Sequence, residues 1–324
     1  MMRGMSNGVR IAWDNLTAGE WSRILQGAGR STLTQTFAYA QAILLTERET
    51  AVVGLVEIDD RPVGVVMGLR KTAFAVAETV SIQRGPILLP EAREPAVLLE
   101  VLAAIRKRFP PGITKWTHFI PELEATERNA ALLAAARFKR TDGPGYRTIW
   151  IDLDRPTDEL RRGLRLKWRN RLVLAERAEA EGRLTIAVDP VARNLPELVK
   201  RYVADKEARK YRGPSGPLVV RLRNALAPEK GAVLVTASVD DRLVAGILVL
   251  CHGVAATYQI GWTGPEGRAT SATHLLLWRA MEHLAATGRR WFDLGGIQPD
   301  TAPGVTLFKR GVGGEEIELA GTWV

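Results

Sequence analysis

The sequence predicts an α/β protein of two repeated domains, and three observations carry that prediction. Residues 51–69, AVVGLVEIDDRPVGVVMGL, and 232–250, AVLVTASVDDRLVAGILVL, align without a gap. Each reads as an apolar strand, an Asp-Asp-Arg hairpin tip and a second apolar strand, and such self-similarity signals duplicated structure. Each copy is followed by a segment of helical period. The length, 324 residues, exceeds what one ordinary core holds and suits two. The expected domains are 9–149 and 150–324, with the working cleft in the second.

The elements follow in order. After the first hairpin, Arg84-Gly-Pro86 marks a turn at a strand end. Glu94 to Arg108 is a helix with Leu98, Leu99, Leu102 and Ile105 on its apolar face. Trp150 to Leu153 is a strand at the domain junction. Asp158 to Gly182 is expected as one helix, with Leu160, Leu164, Trp168, Leu172 and Ala175 at helical spacing and Gly163 as its sole internal breaker. Asp158 and Glu159 suit its N-terminus and Gly182 its stop. Six basic residues and no acid lie between Arg161 and Arg171. On one continuous helix, Arg161, Arg165 and Arg169 form an i, i+4 row, open to phosphate binding or to a solvated face. A helix bearing Leu198, Val199, Tyr202 and Val203 leads into the basic turn Arg209 to Ser215. The second hairpin follows, then the loop Gly264 to Thr270 and a helix from Ser271 to Thr287. Trp291 to Leu294 closes as a short buried strand.

Composition bounds the function classes. Hydrophobic residues make up 46% and charged residues 25% of the chain, as in soluble globular proteins. The lone Cys251 excludes an internal disulfide and sits in an apolar run as a core residue. The N-terminal residues lack the apolar stretch of a leader, and no run approaches the ~20 residues of a membrane span, so a cytoplasmic protein is expected. The net charge of +9 suits phosphate-bearing partners: tRNA, a nucleotide-sugar precursor, coenzyme A or an anionic membrane surface. The four histidines form no zinc pattern, so no metal is expected. Neither a phosphate-binding P-loop nor a nucleophile elbow is present. Oligomeric state is left open.

The chemistry concentrates near the C-terminus. Phe292-Asp-Leu-Gly-Gly-Ile297 is followed by Phe308-Lys-Arg-Gly-Val-Gly-Gly314. Gly295 and Gly296 permit a sharp turn or a close approach to a ligand. Leu307-Phe308 reads as a second apolar stub. A cation between an apolar anchor and a glycine-rich bend suits a developing oxyanion. Asp293, Glu315 and Tyr258 are candidates for proton transfer, and His274 is read as packing along its helix.

At these two segments the chain resembles the FemABX family, whose strand reads F-D-[LF]-G-G-I and whose next segment reads F-K-x-G-[FV]-G-G. The resemblance implies two tandem GNAT-like domains, each centred on a strand–turn–strand. It implies transfer of an aminoacyl group from aminoacyl-tRNA to an amine of a peptide or cell-wall precursor. It gives Lys309 the stabilisation of the tetrahedral intermediate, with Phe308 beside it. An acyl-coenzyme A-dependent N-acyltransferase and a non-catalytic binding module are the alternatives, and no tightly bound cofactor is implied.

Other segments match the family in part. Arg209, Lys210, Tyr211 and Arg212 stand where the family has an arginine-rich turn that contacts precursor phosphates. Arg84-Gly-Pro86 matches an R-G-P that places Arg84 toward the cleft. Gln35-Thr-Phe-Ala-Tyr39 resembles an N-terminal Q-S-x-x-W segment, but Gln41, Ala42 and Ile43 fill the stretch where muramyl-peptide users carry a lysine. The long helical hairpin proposed to hold tRNA is reduced or absent here, since residues 158–182 leave room for only one helix. In coenzyme A-using GNATs an [RQ]-x-x-G-x-[GA] loop wraps the pyrophosphate. Gly267 and Ala269 fit that loop, Gly264 stands in place of its leading cation, and Arg268 could substitute, with Thr270 next to them as a further donor-binding candidate. A simple helix cap at Thr270 or Ser271 is the rival reading.

Overall fold

A computed structural model of the chain describes residues 8–14, 16–47, 49–73 and 77–324. The N-terminal residues read for a leader, 1–7, lie outside that description. Two units result, one of residues up to 147 together with 317–324, the other of residues 148–316. The last eight residues therefore pack with the first unit, not with the 150–324 domain expected from the sequence. Phe119 and Trp323 exchange backbone hydrogen bonds, both at 2.8 Å, and Trp323 is buried.

The first unit contains β1 (Arg10–Trp13), α1 (Ala18–Gly27), α2 (Phe37–Thr46), β2 (Thr50–Ile58), β3 (Arg61–Ala73), β4 (Ala77–Gly85), β5 (Ile87–Leu88), α3 (Pro95–Arg108), β6 (Lys115–Pro121) and α4 (Glu127–Ala135). Its sheet runs β1-β2-β3-β4-β6, with β5 also on β3. Alternation along β3 covers both faces: Val66 packs with Leu98, Leu102 and Ile105 of α3, whereas Val65 and Met67 pack with Trp21, Ile24 and Leu25 of α1. Thr17 and Glu20 close a reciprocal cap on α1.

The elements from β7 onward are β7 (Arg147–Asp152), α5 (Thr157–Gly163), α6 (Leu166–Ala180), β8 (Thr185–Asp189), α7 (Leu195–Arg209), α8 (Gly216–Leu226), β9 (Ala232–Val239), β10 (Arg242–His252), β11 (Ala255–Thr263), α9 (Pro265–Ala269), α10 (Ala272–Ala286), β12 (Trp291–Asp293), α11 (Pro303–Arg310) and β13 (Glu315–Glu318), of which Arg147 and the last two residues of β13 fall outside the second unit. The strands order as β13-β7-β12-β11-β10-β9-β8. Helices α6 and α10 share one core with Val233, Val235, Ile247 and Val249 of the sheet.

Both repeat copies are antiparallel hairpins, β2-β3 and β9-β10. Their tips hold two consecutive positive-φ residues, Asp59 and Asp60 in one, Asp240 and Asp241 in the other. That is the turn whose twist matches the strands it joins, and aspartate tolerates it. Two expected elements differ. The helix expected over 158–182 breaks into α5 and α6, because Leu164 and Arg165 are extended. The Arg165 amide, which a continuous helix would spend on Arg161, donates instead to the Gly311 carbonyl at 2.9 Å. The stub read at Leu307-Phe308 is the last part of helix α11, and Leu307 is exposed.

Candidate active site

The site begins where two parallel strands part. β11 pairs with β12 only from Ala255 to Thr257, opposite Trp291 to Asp293. β11 continues to Thr263 while the other chain turns away after Asp293. The β10-β11 register slips beside Tyr258, and such bulges bend a strand locally. Gly295, at φ +71°, makes the turn. Its amide donates to Asp293 Oδ1 at 2.8 Å, and the Thr148 hydroxyl donates to the same oxygen.

Lys309 occupies this opening. Its Nζ donates to the carbonyls of Gly296 at 2.9 Å and Gly295 at 3.3 Å, and lies 5.6 Å from the Tyr258 ring centre. An ammonium has three donors, so these bonds leave one N–H for a further acceptor. Burial lowers its pKa from the usual 10.5 to about 8, against the attraction of Asp293, which favours the charge. Burial also pushes the Tyr258 phenol well above its usual range, with Tyr211 adding to the rise. Tyr258 is therefore a neutral hydroxyl, not a base. Asp293 is fully buried. It holds the Gly295 turn and the lysine's charge, and is not exposed for the proton transfer the sequence reading allowed.

The glycine bend after Lys309 is explained by packing. A Cβ on Gly311 would stand 2.3 Å from Trp168, one on Gly313 2.3 Å from the Gly163 carbonyl, and one on Gly314 2.4 Å from the Trp150 carbonyl. The bend thus seats the Lys309 helix against α6 and β7. Phe308 meets Trp168 as well, with its ring centre 6.0 Å from Trp168 and 5.0 Å from His274. His274 also meets Trp168 at 5.0 Å, and burial holds its pKa down to about 4, so it is neutral near pH 7. Trp168 and His274 were read only as a helix face. Their place beneath Phe308 depends on where α6 and α10 cross α11, which no local spacing encodes.

The remaining candidates divide. Tyr211 packs near Tyr202, ring centres 6.2 Å apart, and adds to the rise in the Tyr258 pKa. Its neighbour Arg209 pairs with Asp205 at 2.9 Å, Lys210 is the left-handed cap of α7, and Arg212 is exposed. Arg84 belongs to the first unit and is buried. Its Nε and Nη2 each meet Glu122 at 2.8 Å, and Tyr146 lies under the guanidinium at 5.0 Å. This ion pair replaces the expected cleft-facing role. Gln35 is equally committed, bonding Met67 through both amide atoms and Gln83 through its NH₂.

The basic row dissolves with the helix that was to carry it. Arg161, on α5, is bidentate to Glu176 at 2.7 Å and covers Trp278. Arg165 caps α6, and Arg169 lies on α6 itself. The loop over Gly264 to Thr270 is also not an open cradle. It forms α9, in which the amides of Arg268, Thr270 and Ser271 donate to Gly264, Glu266 and Arg268. Arg268 turns its guanidinium to the Thr263 carbonyl, 2.6 Å, and the Thr270 hydroxyl bonds Glu266. A Cβ on Gly267 would meet the Val244 carbonyl at 2.5 Å. Ala269 ends this turn. Ser271 occupies the cap position of α10 without a side-chain cap bond.

Comparison with known proteins agrees with this architecture. Residues 162–310 match the acetyltransferase (GNAT) domain family. The crystal structure of FemX superposes with a TM-score of 0.79 at 16% identity, covering 96% of each chain. A conserved protein of unknown function from Bacteroides thetaiotaomicron gives 0.62 at 12% identity, over 97% of this chain and 98% of that one. A tandem GNAT protein from the clavulanic acid biosynthesis pathway gives 0.54 at 16%, over 97% of each. No curated protein matches. Within the second unit, residues 162–310 are similar to the acetyltransferase (GNAT) domain. The whole chain has the tandem GNAT fold of FemX. Among the described residues no helix is long and apolar enough to cross a membrane.

Proposed function

We propose that the protein transfers an aminoacyl group from an ester donor, aminoacyl-tRNA, to the amine of a peptide or cell-wall precursor. The observation that carries this reading is Lys309: a buried ammonium held by two carbonyls where β11 and β12 part, with a donor to spare. Attack of a neutral amine on an acyl ester places negative charge on the carbonyl oxygen. A preoriented cation in a water-poor site stabilises that charge without reorganising. Asp293 keeps the lysine protonated, and Tyr258 walls the opening with a neutral hydroxyl. Orientation of the two substrates supplies the rest of the rate.

The turn at α9 favours an ester donor over acyl-coenzyme A. A pyrophosphate needs unspent amides at a helix start. Here Pro265 at the start of the turn has no amide to give, and Glu266 beside it sets a carboxylate there, paired with Arg242 at 3.3 Å. The acyl-coenzyme A enzyme is the competing reading, and the GNAT family match favours it. Labelled aminoacyl-tRNA and labelled acetyl-coenzyme A, given separately with a pool of amine acceptors, distinguish the two. Label should pass from the aminoacyl-tRNA. Saturable transfer from acetyl-coenzyme A alone would reverse the donor assignment, and no transfer from either would leave the fold without this activity.

A further inference from the structure

Helix α6 turns its buried face, Trp168, Leu172, Ala175 and Ala178, to the core. Its opposite face mixes exposed apolar side chains with Asn170 and Arg177, where a purely polar surface is expected of a helix on a globular domain. Leu166, Val173 and Leu174 lie there with 63%, 43% and 40% of their surface exposed. At 100° per residue these three fall within one arc of about 100°. Lys167, Arg169 and Arg171 flank them, and Arg165 stands at the cap. None of these four cations makes an ion pair among the described residues, whereas the helix acids Glu176 and Glu179 are taken by Arg161 and Arg279. The cations also crowd the positive end of the helix dipole, where they oppose it. Local stability therefore does not account for them. Leu307 of α11 is likewise 63% exposed.

We propose that this face of α6 docks on an anionic membrane surface. Apolar side chains bordered by unpaired arginine and lysine match the acyl–headgroup boundary of such a bilayer: the former enter it, and the latter meet its phosphates. An RNA backbone would satisfy the cations but would leave three apolar side chains in water. The surface adjoins α11, so docking would hold Lys309 near an acceptor presented at the membrane. The proposal does not depend on the donor or on the reaction.

The test is flotation of the full chain with mixed phosphatidylglycerol–phosphatidylcholine vesicles and with pure phosphatidylcholine vesicles. Binding is expected to the anionic vesicles only, and to weaken with salt. The triple variant Leu166→Gln, Val173→Gln, Leu174→Gln changes exposed positions and should abolish flotation while keeping the circular dichroism spectrum and melting temperature. Single Lys167→Gln, Arg169→Gln and Arg171→Gln variants should each weaken it by roughly fivefold. Failure of the native chain to float would overturn the proposal. So would flotation unchanged in the glutamine triple, or salt-sensitive tRNA binding lost with the cations but indifferent to that triple.

Discussion

The proposed chemistry turns on Lys309, and its protonation state makes that role testable. Replacement by Met should lower kcat by roughly 10²–10³ with the fold intact. Activity within a few-fold of the native enzyme would reduce the lysine to a structural cation. Because its pKa is about 8, the rate should fall as pH rises through that value, and the fall should vanish in Lys309→Arg. A rise that is present in the native chain and lost in Lys309→Arg would instead make Lys309 a base, whereas a rise shared by both belongs to the acceptor amine. Stability has the opposite dependence. The folded pKa lies below the unfolded 10.5, so between about pH 8 and 10.5 the unfolded chain binds the extra proton. Across that window the native chain should gain stability relative to Lys309→Met as pH rises, measured by urea denaturation of the two side by side.

At the scale of elements, close packing between α11, α6 and β7 sets the position of that lysine. Gly311→Ala places a methyl 2.3 Å from the Trp168 ring atom Cδ1. It should cost about 1–3 kcal/mol and lower kcat more than KM changes, because α11 shifts with it. A melting curve and steady-state kinetics on the same preparation would show whether the two losses travel together. Gly267→Val should destabilise the domain whatever the donor, since the Val244 carbonyl stands 2.5 Å from the added Cβ. Loss of activity in that variant is therefore no test of coenzyme A binding. Thermal denaturation without any ligand is the measurement that exposes the packing effect, and an unchanged midpoint would contradict it.

For the whole molecule, the C-terminal segment ties the ends of the chain's order together. Residues 317–324 close the first unit, with Trp323 buried in the core that contains Phe119 and Phe138. Trp323→Ala should cost about 3–5 kcal/mol, registered as a lowered unfolding midpoint of the first unit. The donor chemistry in the second unit should keep its kcat per folded molecule. A variant as stable as the native chain would show that the segment is an appendage.

The repeat of two hairpins, their Asp-Asp tips and the helices after them were legible because each depends on local periodicity and turn chemistry. The Phe-Asp-Leu-Gly-Gly and Phe-Lys segments, read together from the sequence, are also brought together in the fold, where Lys309 donates to the Gly295 and Gly296 carbonyls. What only the tertiary structure decided is how distant backbone groups compete for one another. The Gly311 carbonyl takes the Arg165 amide, and so a helix with unbroken apolar spacing becomes two. Glu176 and Glu122 claim Arg161 and Arg84, and so cations that composition offered to phosphates are spent within the fold. The pKa of Lys309 likewise arises from burial and from Asp293, sixteen positions away in sequence and adjacent only because β12 turns back at Gly295. Spacing along a chain records the preferences of neighbours, whereas desolvation and hydrogen-bond exchange belong to whichever groups the packed chain brings together.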